Sequence, residues 1–384
     1  MKLKSLKKSI AKIKNKAVFL RVDFNVPLAN GQIKDDSKIA AALPTIRFLL
    51  RYRCRIILAT HLGEPSGKVN RKFDVRPLAT RLTKMLGANR LTVSKEIIGA
   101  KVTTAAKKLK PGKILFLQNL RFNGGEENNN LAFAKKLASL AEVYVNEAFA
   151  VSHRSHASVS AIKKFLPAYA GLFLEEEIRN LDKVKKPAKP LAVLLGGAKI
   201  KSKINLINNL ATPAEKILIG GALANNFFQA MGLSIGKSLA DKESVAVAKK
   251  LLKNKKILLP IDVVVETNHG PRVKIIDEIA AQDIISDIGP QTIWLFASIL
   301  RKARTLIWNG PLGVFEQPHY RHGTVALGEV IAARSRGKAF GVVGGGETVE
   351  ALKLTKMEHW VDWISTGGGA MLAYLGNEKM PGLD

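Results

Sequence analysis

The chain has 384 residues, 47% of them hydrophobic and 6% aromatic, which exceeds one ordinary core and predicts two domains. Lysine and arginine total 61 against 31 acidic residues, a formal charge of +30 that brings nucleic acid and acidic membrane surfaces into consideration. The basic residues are scattered along the whole chain, with no RRM-type aromatic pair, KH-type GXXG clamp or zinc-ligand spacing, so the charge reads as a solvated surface without a specific nucleic-acid partner. No apolar run suits a membrane span. The single cysteine, Cys54, precludes an intramolecular disulfide and suits a reducing, cytoplasmic setting.

The basic start, MKLKSLKKSIAKIKNK, leads into a strand, AVFLRVDF (17–24), in which Arg21 and Asp23 interrupt any signal-peptide apolar region. Further predicted strands of the first half are RIILATHL (55–62), KILFLQN (113–119) and VYVNEAF (143–149). GLFLEEEIRNLDKVKKPAKP (171–190) then reads as a connecting helix and hinge, acidic early and lysine-rich late, ended by prolines. The second half continues with LAVLL (191–195), KILIG (216–220), KILLPIDVVV (256–265), TLIWN (305–309) and FGVVGG (340–345). Each strand is followed by a turn and a helix-period segment. The predicted fold class is therefore α/β, with two doubly wound, Rossmann-like parallel-sheet domains joined by the connecting helix. The boundaries are 1–170, 171–190 for the connection, 191–365, and a C-terminal segment, 366–384, returning toward the first domain.

Ligands of open parallel sheets sit beyond the carboxyl ends of the strands. In the first half those positions hold Asp23, Asn25, His61, Arg121 and the stretch Asn146 to His156, a polar and mainly basic set suited to a small anionic substrate. In the second half they hold glycines: 196–197, 220–221, 344–346 and 367–369. A strand, glycines and a helix start bring backbone N–H groups and a positive helix end to a phosphate. One such turn is ordinary turn chemistry, but four in one domain point to a phosphate cradle. A basic pocket facing such a cradle suggests phosphoryl transfer, which depends on positioning and on neutralising oxygen charge. His153 and His156 resemble a metal pair but lack a third ligand. MGLSIGKSL (231–239) is one residue short of a P-loop and is read as a decoy.

These motifs, in this order, resemble the phosphoglycerate kinase family along almost the whole chain. RVDFNVPL (21–28), HLGEP (61–65), NLRF (119–122) and NEAF with HRSH (146–156) resemble its substrate motifs. LGGAKI (195–200), IGG (219–221), WNGPLGVFE (308–316), GGGET (344–348) and STGGGA (365–370) resemble its nucleotide motifs. The resemblance implies reversible transfer between 1,3-bisphosphoglycerate and ADP, giving 3-phosphoglycerate and ATP with Mg²⁺, directly in line after hinge closure, in a monomer. It implies substrate contacts from Arg21, Asp23, Phe24, Asn25, Lys38, His61, Leu62, Gly63, Glu64, Arg121 and Arg154. It implies nucleotide contacts from Gly197, Ala198, Lys199, Lys203, Gly221, Asn309, Pro311, Val314, Glu316, Gly344, Gly345, Gly346, Glu347 and Thr348, with Lys38 and Lys203 catalytic and Glu347 meeting Mg²⁺.

Four positions depart from the family pattern. Lys38 stands in place of a catalytic arginine and lacks its bidentate fork. Glu64 replaces an arginine of the basic patch, to repel the substrate phosphate or to sit in a salt bridge away from it. Ser202 replaces an aspartate before Lys203, and Glu347 replaces the magnesium-binding aspartate with a carboxylate on a longer arm. A catalytically impaired nucleotide-binding relative is thus one alternative to an active kinase. A basic nucleic-acid-binding protein, favoured by net charge alone, is the other.

Overall fold

The computed structural model describes residues 3–29 and 31–384. The chain divides into two compact units, one of Met1–Ile178 with Lys379–Asp384, the other of Arg179–Glu378. The dividing line falls within the helix Leu172–Lys185, which is the predicted connecting helix. The C-terminal helix Gly368–Leu375 stays with the second unit, and only the last six residues belong to the first.

The first unit is built on a seven-stranded parallel sheet. Its order is Lys4–Ser5, Ala168–Ala170, Val143–Glu147, Ala17–Val22, Arg55–Ala59, Ile114–Phe116, Leu91–Val93. Ala17–Val22 is buried at every position because both faces of the sheet are covered. Val18, Leu20 and Val22 join one apolar cluster with Ile39, Ile46 and Leu49 of the helix Ser37–Arg51. Ala17 and Phe19 alternate into the opposite cluster with Leu115, Leu117 and Tyr144. The chain winds outward from Ala17–Val22 on one side and returns on the other, so the strand order reverses between Ala17–Val22 and Val143–Glu147. The loops leaving these strands carry Asp23, Asn25 and the segment 148–158.

The second unit holds a six-stranded parallel sheet ordered Ile257–Leu258, Lys216–Ile219, Leu191–Leu195, Thr305–Asn309, Phe340–Gly344, Trp363–Ser365. Its order reverses between Leu191–Leu195 and Thr305–Asn309, which pair in register from Leu191↔Thr305 to Leu195↔Asn309. Trp308, Leu306, Leu194, Leu327 and Leu352 form the core on one face.

One predicted strand is corrected. KILLPIDVVV is two strands in two sheets: Ile257–Leu258 ends the parallel sheet, while Asp262–Thr267 is the centre of an antiparallel sheet with Gly270–Ile275 and Ile284–Ile288. Pro260 lies between them and has no N–H to donate to a ladder. This antiparallel sheet has no counterpart in the purely parallel expectation.

Candidate active site

In the first unit, the loops after three strands meet through specific hydrogen bonds. Asn25 Oδ1 accepts from Gly63 N at 2.9 Å, and Arg121 Nη1 donates to the Gly63 carbonyl at 2.8 Å. Gly63 itself is at φ +60°, and a Cβ there would stand 2.2 Å from the Phe73 ring, so the turn requires glycine. Asp23 Oδ1 accepts from Asn25 N at 3.1 Å, while Lys38 Nζ lies 2.8 Å from Asp23 Oδ2. Lys38 comes from the first turns of the helix Ser37–Arg51. Phe24 and Leu62 are buried, so of the sequence-predicted substrate residues these two offer backbone rather than side chain. Phe24 packs edge-on against Phe116 and its N–H donates to Thr60 Oγ1.

Positive charge concentrates here. Arg121 is buried, with Nε 3.2 Å from Glu127 Oε1, and its Nη2 has no hydrogen-bond partner among the described residues. His156 Nδ1 is likewise buried without a partner. A buried polar atom without a partner carries a desolvation penalty, which for the Arg121 Nη2 donor a bound anion would remove. Burial, then Arg21, Arg121, Arg154 and His153, hold the His156 pKa at about 3, so its ring is neutral. His61 is held well below its usual value, by burial first and then by Arg21, Arg121, Lys38 and His156. Arg154 is exposed within the segment 148–158. Glu64 is 79% exposed with Oε1 3.9 Å from Arg121 Nη1. Glu64 thus pairs with Arg121, a residue of the basic patch itself rather than one away from it, in a loose surface contact of small energetic weight.

Arg21 differs from the expected phosphate ligand. Its guanidinium is wholly buried and engaged internally by Ser158, the Val22 carbonyl and His61. Glu126, Ser158 and Glu127, which surround the arginines, were not singled out from sequence. The sequence signal for Arg21 is its place as the penultimate residue of a strand covered on both faces.

The second unit brings its glycine turns together at the reversal of strand order. Gly196 N donates to the Asn309 carbonyl at 3.0 Å and Gly197 N to the Pro311 carbonyl at 2.7 Å. A Cβ on Gly196 would lie 2.0 Å from Pro311 O, so two backbones touch where no side chain fits. Asn309 Nδ2 donates to the Gly344 carbonyl and Gly310 N donates to Thr348 Oγ1, each at 2.7 Å. Asn309 and Thr348 therefore brace the turns from beneath, both buried, rather than lining a ligand site with free side chains. Lys203 is buried and its pKa lowered by that burial against the raising influence of Glu347. Its Nζ lies over the Gly197 turn, 3.6 Å from where a Cβ on that residue would be. Lys199 and Ala198 are exposed, and Ser202 donates to the Lys199 carbonyl.

A cavity of about 260 Å³ opens beside these turns. Gly197, Ala198, Gly221, Pro311, Val314, Glu316 and Glu347 line it, all named from sequence. Its apolar wall, Phe228, Leu239, Val263 and Ile284 to Ile288, was not, because half of it belongs to the unforeseen antiparallel sheet. Asp287 in that wall accepts from Ile288 N and Gly323 N, each at 2.8 Å, and burial pushes its carboxyl up to about 7. Gly345 and Gly346 precede and open the helix Gly346–Lys353, with Gly346 and Glu347 exposed at its N-terminus.

The family model for phosphoglycerate kinase matches residues 8–378. The chain belongs to the phosphoglycerate kinase family. A phosphoglycerate kinase of Pelotomaculum thermopropionicum is 41% identical over 97% of this chain and 96% of that protein. One of Moorella thermoacetica is 42% identical with the same coverage. Among solved structures, the phosphoglycerate kinase of Coxiella burnetii superposes with a TM-score of 0.84 at 36% identity, covering 97% of this chain and 96% of its own. That of Pyrococcus horikoshii gives 0.84 at 30% identity, covering 99% and 98%. Family membership makes the chain a kinase, an enzyme that transfers phosphoryl groups. Among the described residues no helix is long and apolar enough to cross a membrane.

Proposed function

We propose that this chain catalyses the reversible phosphoryl transfer between 1,3-bisphosphoglycerate and ADP, giving 3-phosphoglycerate and ATP, as a cytoplasmic monomer. The observation that carries the reading is the pairing of two chemistries in one chain: an under-satisfied cationic cluster in the first unit and a glycine-walled cavity in the second. Arg121 and Arg154 would neutralise the non-transferring phosphate of the glycerate substrate, and Asp23 and Asn25 would orient its hydroxyl and carboxyl end. The N–H groups of the glycine turns would take the nucleotide phosphates, with Lys199 and Lys203 adding charge and Val314 and Glu316 flanking the nucleoside. Lys38 and Lys203 would face the migrating group after closure about the helix Leu172–Lys185, stabilising charge that spreads over its oxygens.

Magnesium fits this residue set. No cluster of three or more metal-ligating side chains occurs among the described residues. Mg²⁺ keeps several waters and is commonly held by one or two carboxylates with substrate phosphates, and the exposed Glu347 at a helix N-terminus offers one such carboxylate. Bound there with the nucleotide, the ion would neutralise phosphate charge. Lys203, partnered electrostatically by Glu347, would be steered toward the same oxygens.

The test is an ATP-dependent coupled assay with 3-phosphoglycerate and Mg²⁺. Turnover that is lost on Lys203→Ala supports the reading. Binding of both substrates without turnover would instead establish an impaired relative, and failure to bind 3-phosphoglycerate would remove the reading of the first unit.

A further inference from the structure

Arg21 sits where strand alternation sends Ala17 and Phe19, on the face of the sheet covered by the segment 157–162. A charge placed there must be fully engaged. Arg21 Nε donates to Ser158 Oγ at 2.8 Å, and Ser158 donates to Glu126 from Oγ at 2.6 Å and from N at 2.9 Å. Glu126 Oε1 stands 4.0 Å from Arg21 Nη2, which completes a buried charge pair. Burial raises the Glu126 pKa while Arg21 and Ser158 lower it, and both carboxylate oxygens already accept a hydrogen bond.

The remaining contact is the informative one. Arg21 Nη2 lies 3.1 Å from His61 Nδ1. A guanidinium nitrogen can only donate, so Nδ1 must accept through its lone pair. Protonating Nδ1 would set N–H against N–H. We propose that Arg21 is a positioning residue: through Nη2 it holds His61 as the Nε2–H tautomer, and Ser158 with Glu126 holds the guanidinium in place for that contact. The groups facing the ring agree with this assignment. Arg121, Lys38 and His156 all disfavour a second proton. Asp23, the facing carboxylate, has Oδ1 3.9 Å from Nδ1, and its other oxygen is held by Lys38. Nε2 makes no hydrogen bond among the described residues. The inference rests on the anion-site reading of the first unit and deepens it. His61 presents a neutral N–H donor to a substrate oxygen, so its part in binding does not switch with pH.

The experiment uses the full chain labelled with ¹⁵N-histidine, with long-range ¹H–¹⁵N correlation spectra from pH 5.5 to 8 and the His61 ring assigned by its loss in His61→Asn. The expected wild-type ring has Nε2 protonated, Nδ1 bare, and no titration across the range. In Arg21→Met the Nδ1 signal should move as the tautomer preference weakens, and the ring's pKa should rise, with burial, Arg121, Lys38 and His156 still holding it down. KM for 3-phosphoglycerate should rise in Arg21→Met relative to wild type. A wild-type ring protonated on Nδ1 overturns the proposal, as does a folded Arg21→Met with unchanged His61 signals. If Arg21→Met does not fold, Ser158→Ala takes its place: a shifted Nδ1 signal supports the proposal and an unmoved one overturns it. The spectra need no substrate, so a chain that fails to bind 3-phosphoglycerate would refute the substrate reading separately.

Discussion

The two units are built by opposite means around their proposed anion sites. The first builds its site from side-chain charge: Arg121, Arg154 and Lys38 are set against Asp23, Glu127 and the exposed Glu64, with a second, fully buried layer of Arg21, Glu126 and Ser158 behind them. The second builds its site from main chain, with Gly196, Gly221 and Gly310 packed so closely that backbone touches backbone. A side-chain site is tunable by substitution and by pH. A backbone site tolerates almost no added atom, and its N–H donors keep their character at any pH, whatever the side chains around them do.

Removing charge from the first site should have the largest effect. Lys38→Ala is expected nearly to abolish turnover, whereas Lys38→Arg should raise it with ATP affinity nearly unchanged. A gained charge-assisted hydrogen bond is worth about 1.5–3 kcal/mol, or roughly one to two orders of magnitude in rate. Steady-state kinetics decides this. Full activity in Lys38→Ala would show that Lys38 serves only its pair with Asp23.

Adding one methyl group to the second site comes next. In Gly196→Ala the new Cβ meets Pro311 O, a backbone atom with no rotamer to change. Overpacking typically costs about 1–3 kcal/mol, so, where that strain falls on the nucleotide-bound turn, ADP affinity in titration calorimetry should fall by roughly 5- to 150-fold. Gly346→Ala is the packing control, read by urea unfolding beside Gly196→Ala, since its Cβ meets no protein atom within 4 Å. Equal losses in both variants would contradict the backbone-packing account.

The smallest expected effect is acid sensitivity in the first unit. His156 is held near 3 in the fold, below the ordinary 6.5. The unfolded chain therefore binds the extra proton, and stability falls as pH drops below 6.5 toward 3, at up to about 1.4 kcal/mol per pH unit. Between pH 7 and 5.5, wild type should lose about 1 kcal/mol more than His156→Gln in urea unfolding. Parallel losses would mean that the ring is already charged in the fold. The raised carboxyl of Asp287 works in the other direction in the second unit, contributing stability at low pH that is lost as pH rises through about 7.

Much of this was readable in one dimension. Strands 191–195 and 305–309 are as expected from their apolar runs, because a strand covered on both faces is apolar throughout. The glycines of the cradle were legible because few other reasons place paired glycines after successive strands. What depended on the third dimension was the employment of polar side chains. Asn309 and Thr348 lie in ligand motifs yet hold the turns to one another, and Arg21 lies in a substrate motif yet faces inward. A motif records which residues occur together, but the direction of each side chain follows from strand alternation and from which partners the fold brings within about 3 Å. Ser158 and Glu126 are 137 and 105 residues from Arg21 in the chain, and no spacing rule links them; only the stacking of the loop over the sheet does. The sequence by itself thus determined the family, the sheets and the residues proposed for the two anion sites. The tertiary structure alone decided which cations remain for an anion and which are neutralised within the core, because a buried charge must be partnered wherever the fold leaves it.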